Sequence, residues 1–162
     1  MIALLAVSNV MCGLGARDFD ADSFTKVKPT RQQMAGVYVP TKETVTLIEQ
    51  TGHYHLNDIA ISLFKDGTFD MQNMPDWWIA DFGVSKGKGD SGKGKWQIVK
   101  HGTLWQIEFG FETGEFNSDK NLSNGFFTTK DMSGDSPPYS LWFYIGDPDK
   151  GRVMIFEQVL EK

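Results

Sequence analysis

The stretch TLWQIEFGF, residues 103–111, narrows the choice of fold more than any other part of the chain. In an extended chain Trp105, Ile107, Phe109 and Phe111 point one way, and Gln106 and Glu108 the other. One side is therefore buried and the other wet, as in an antiparallel sheet. KWQIVK (95–100) precedes it across His101-Gly102, which reads as a tight hairpin. The same pattern recurs on both sides. GVYVP (36–40) is a short strand. DIAISLF (58–64) meets TFDM (68–71) across Lys65-Asp66-Gly67, and Asp-Gly is a strong hairpin signal. NLSNGFFTTK (121–130) is a weaker strand, and YSLWFYI (139–145) with RVMIFEQV (152–159) forms a last hairpin.

About eight sequential strands joined by short turns predict a mainly β fold, an antiparallel up-and-down meander closing into a barrel. One helix interrupts it after the first strand. Thr41 is its N-cap, Glu43 sits in its first turn, Val45, Leu47 and Ile48 make its apolar side, and Gly52 ends it. The folded domain is expected to span 34–162, behind a polar tether at 17–33. Residues 1–16, MIALLAVSNVMCGLGA, carry no charged side chain, and Ile2–Val10 is an apolar run too short to span a bilayer. It suits the core of an export signal, although no basic region precedes it. Cys12, the only cysteine, is a lipid-anchor candidate, while Asn9-Val10-Met11 fits poorly with the small residues that usually precede such a cysteine. The expected location is periplasmic, envelope-associated or secreted.

Other chemistry is thinly represented. A net charge of −5 with scattered cations argues against nucleic acid. GKGDSGKG (87–94) has Gly87, Gly92 and Lys93 of a phosphate loop but Gly94 where Ser or Thr is needed, and it runs straight into a strand. It reads as part of a solvated loop at 83–94. His53 and His55, with Asp58 nearby and His101 apart, give too few ligands for a metal site. The carboxylate pairs Glu112/Glu115 and Asp147/Asp149 are what any acidic loop provides, and no nucleophile motif is present. No cofactor is expected. GDPDKG (146–151) reads as a hairpin tip built on a type I turn. Trp77 and Trp78 are adjacent and point to opposite sides, so one can plug the fold while the other is exposed as an anchor.

Gly36-Val37-Tyr38, Asp66-Gly67-Thr68-Phe69, Gly94-Lys95-Trp96 and the ending Gly146-Asp147-Pro148-Asp149 with Phe156 and Glu157 resemble small lipocalin-like, calycin-type barrels of exported bacterial proteins of unknown function. The resemblance covers roughly 34–160. It implies an eight-stranded barrel whose lumen can hold an apolar ligand. The chain departs from true lipocalins in having Tyr38 where a Trp is expected, a helix after the first strand and no cysteine pair. Trp77, Trp78, Trp96, Trp105, Phe109 and Phe143 are the ligand-binding candidates. Two functions follow as expectations: a non-enzymatic binding protein for a small apolar ligand, or an envelope interaction protein, of inhibitor or immunity type, acting through its outer surface and loops. An enzyme is the third reading.

Overall fold

A computed structural model of the chain describes residues 23–50, 54, 58–76, 89–116, 125–145 and 152–160. The strands are β1 (Gly36–Pro40), β2 (Ala60–Leu63), β3 (Thr68–Pro75), β4 (Gly89–His101), β5 (Leu104–Glu115), β6 (Phe127–Ser133), β7 (Ser140–Tyr144) and β8 (Val153–Val159). Each pairs antiparallel with the next, and β1 pairs with β8 from Val37↔Val159 to Pro40↔Phe156, so the meander closes into a barrel. Helix α1 (Arg31–Met34) precedes β1, and α2 (Lys42–Glu49) follows it. None of the described helices is long and apolar enough to cross a membrane.

The alternation seen in sequence is realised in space. Ile107, Phe109 and Phe111 are buried, while Gln106 bonds Asp131 and Glu108 bonds Gln97 across the outer face. Lys93 pairs with Asp70 at 2.8 Å and Lys95 with Glu112 at 3.3 Å on that same face. The outer wall over β3 to β6 is therefore charged and hydrogen-bonded. Helix α2 is capped as expected, with the Thr41 hydroxyl accepting from Thr44 N–H. The buried Thr44 hydroxyl then joins the helix to β8, donating to Ile155 O and accepting from Ile155 N–H. The expected stop at Gly52 lies outside the described residues.

The Asp-Gly hairpin forms as predicted. Gly67, at φ +89°, donates to Phe64 O, and the Asp66 carboxylate accepts from both the hydroxyl and the N–H of Thr68. Those bonds hold the Asp66 carboxyl below its usual range. The tip at 146–151 is outside the described residues. β6 runs later than predicted, because Gly125, at φ +97°, turns the chain just before it.

Two stretches differ from expectation. Residues 89–94 are not a solvated loop: they form the first half of β4, hydrogen-bonded to β3 and β5. Glycine suits this wall because little room is left on its inner side. A Cβ on Gly92 would stand 2.7 Å from the Phe111 ring, and one on Gly94 would stand 2.0 Å from Gly110 O at a register shift between β4 and β5.

The second is the polar 17–33 segment, whose residues 23–33 are docked on the barrel as a strap. β5 and β6 part company beyond Gln106↔Asp131, and Thr25 fills the gap. Its N–H donates to Met132 O, its carbonyl accepts from Trp105 N–H, and its hydroxyl donates to Gly134 O. Phe24 packs edge-on against Trp142 in a small outer cluster with Ile155. The strap then crosses the barrel end to α1, where Thr30 and Gln33 form a capping box. Met34 is fully buried, and its carbonyl accepts from the Tyr38 hydroxyl at 2.8 Å.

Candidate functional site

The barrel interior divides into two levels. Near the strap end and through the middle, Tyr38, Ile61, Phe69, Met71, Trp96, Ile107, Phe109, Leu141, Phe143 and Phe156 form one continuous core with almost no exposed surface. The rings touch: Phe69 meets Phe109 at 5.0 Å and Phe111 at 4.9 Å, and Phe143 meets Phe156 at 5.5 Å, all edge-on. An eight-stranded barrel is just wide enough for such filling. Toward the α2 end the wall changes. Leu47, Tyr54, Phe116, Phe126 and Ile145 pack on the core but stay half-buried. Phe116 and Phe126 lie against Phe111 at 5.1 and 5.8 Å.

The sequence candidates fall in different places. Phe109 and Phe143 are buried and stacked at 6.3 Å, and Trp96 stands opposite Phe109 across β4 and β5. The Trp96 indole N–H donates to Phe64 O, and the Arg31 guanidinium lies over its ring. Trp105 stands apart at the strap end, half-buried, with the ammonium groups of Lys28 and Lys100 at 5.0 and 5.8 Å from its ring. Trp77, Trp78 and Cys12 lie outside the described residues, as do His53 and His55.

Several interior groups escaped the sequence reading. Lys130 is directly opposite the inward-facing Ile107, so it too faces inward, and its ammonium lies 5.6 Å from the Phe143 ring. β6 carries too few apolar residues for its alternation to mark an inner side. Asp76 and Asp90 are both fully buried at the α2 end, where the β3/β4 register sets Met74 opposite Asp90. The Tyr54 hydroxyl donates to the Asp76 carboxylate. No sequence motif links Tyr54 to a residue 22 positions later. No group of three or more His, Cys, Asp or Glu that could hold a metal gathers among the described residues.

A separate groove of about 680 Å³ lies on the outside at the strap end, between α1, the Phe64–Asp66 turn and the end of β8. Its apolar lining includes Val37, Phe64, Val159 and Leu160. Comparison with protein families, curated proteins and solved structures finds no match to this chain.

Proposed function

We propose that this chain is an exported, non-enzymatic binding protein whose lipocalin-like barrel takes a small apolar or amphipathic ligand at its α2 end. The observation that carries the reading is the half-buried aromatic cluster at the α2 end. Beneath it the interior is packed ring to ring down to Met34 and Tyr38, and Tyr54, Phe116 and Phe126 keep part of their surface exposed above that floor. Half-buried aromatics over a packed apolar floor are what a small ligand can cover at little conformational cost, since the rings are already held by Phe111. Lys130 adds an inward-facing cation on the wall. Export is the part of the reading that rests on the uncharged segment 1–16.

Titration with a fatty acid and a retinoid-like fluorescent probe, with native mass spectrometry for stoichiometry, tests the reading. Saturable one-to-one binding is expected, weakened about tenfold by Phe116→Ala through lost ring burial. Failure of both probes to bind, or binding indifferent to Phe116→Ala, would sink it. N-terminal sequencing of the protein from its host should find a start beyond Val10.

A further inference from the structure

The strap end of the barrel combines two properties. It is basic on an acidic chain: Lys26, Lys28, Arg31, Lys65 and Lys100 stand there against Asp66 and Asp135, while the chain as a whole carries −5. Most of the exposed large apolar side chains among the described residues also lie there: Val27 is 61% exposed on the strap, and Leu160 at 52% and Phe64 at 49% line the outer groove with Val37 and Val159, whereas Phe127 stands exposed at the other end.

Three of these cations make no ion pair among the described residues: the ion pairs of the wall use Lys93 and Lys95, and none involves Lys28, Lys65 or Lys100. Lys28 and Lys100 place their ammonium groups over the half-buried Trp105 ring, 5.0 and 5.8 Å from its centroid, so two cations meet an aromatic surface at this end. Val27 sits between Lys26 and Lys28 on the strap, so cation and apolar side chain alternate on the same short stretch.

The geometry points to this end of the barrel as a docking surface for an anionic lipid bilayer, with Lys28, Lys65 and Lys100 meeting the headgroups and Val27, Phe64 and Leu160 entering the interface. Each lysine near an anionic surface adds a modest attraction, and exposed apolar groups add a second, salt-independent part. The described residues begin at Ser23, whose carbonyl accepts from Gly134 N–H at this same end. An acidic protein would satisfy the lysines but would leave the scattered apolar side chains between them without a purpose.

Vesicle co-sedimentation of the full chain tests the assignment, comparing pure phosphatidylcholine with equal parts phosphatidylcholine and phosphatidylglycerol. Preferential binding to the anionic vesicles is expected, falling as salt rises. Lys28→Gln/Lys65→Gln/Lys100→Gln should lower partitioning about 100-fold, and Phe64→Ser/Leu160→Ser should weaken it while keeping its salt dependence. Near-UV circular dichroism checks that the variants are folded, and the comparison of vesicles with the unaltered chain stands without them. Equal binding to both vesicles, or no loss in the triple variant, would assign binding to residues 1–16 and overturn the proposal. So would capture on polyglutamate without vesicle binding, which would mark an acidic protein partner. The probe titration of the interior reads the opposite end of the barrel, so either result can fail alone.

Discussion

At Gly94 a Cβ would stand 2.0 Å from Gly110 O and 2.9 Å from Glu112 N, both backbone atoms that cannot rotate away. Any side chain there must push β4 from β5 at the register shift that aims Trp96 and Phe111 inward. Gly94→Ala is therefore expected to cost about 3 kcal/mol, at the upper end of overpacking penalties. Chemical denaturation would show this as a lower midpoint at unchanged slope, and a loss below about 0.5 kcal/mol would contradict the close approach. Gly102, where a Cβ meets nothing within 4 Å, is the control position for added bulk, although its φ of +60° disfavours any side chain by backbone strain alone. The residue scale is also where the sequence reading was least able to see. Gly92 and Gly94 carry no side chain to alternate, so a strand made partly of glycine looks like a loop until the Phe111 ring that fills the space is known.

Among elements, the strap is the one whose role depends most on distant partners. Phe24, Thr25 and Met34 hold it at three points: the outer Trp142 cluster, the seam between Trp105 and Met132, and the stopper under Tyr38. Phe24→Ala should cost about 3 kcal/mol, because it strips one face of Trp142 as well as removing its own buried ring. The change is measurable by thermal unfolding, with the near-UV signal of Trp142 as a local reporter. An unchanged melting temperature would mean that the strap is dispensable. From composition alone residues 17–33 are polar and read as tether, since the partners that dock Thr25, among them Trp105 and Gly134, lie 80 or more residues along the chain. The hairpins are the opposite case. Phe64 to Thr68 is closed by its own N–H and carbonyl groups and by Asp66, all within five residues, so its turn chemistry was legible in the sequence. Helix α2 belongs with the hairpins at its start, where Thr41 caps Thr44.

For the whole molecule, closure is the property with the widest consequence. Because β1 pairs with both β2 and β8, the described barrel has no edge strand to fray. Hydrogen exchange should then find the paired amides of β1 and β8 as slow as those of β5, all opening only with global unfolding. Markedly faster exchange in β1 would show that the seam opens on its own. The same closure separates two surfaces by the length of the barrel: a packed, basic strap end and an aromatic α2 end. Trp96 and Trp105, nine residues apart and both inward-reading in sequence, fall in different environments for this reason. Trp96 is stoppered under Arg31, whereas Trp105 is half-exposed beneath two lysines.

By itself the sequence determined that there are about eight strands, their order and the turn between β2 and β3, because alternation and Asp-Gly chemistry act between neighbours in the chain. Eight short-linked strands with one wet side left a closed meander as the economical solution. Only the tertiary structure decided that residues 89–94 are wall, that residues 23–33 are part of the fold, that Lys130, Asp76 and Asp90 are turned inward, and which end is basic. Each of those depends on groups brought together from distant positions, by register and by barrel closure. A local pattern carries no record of what will stand opposite it.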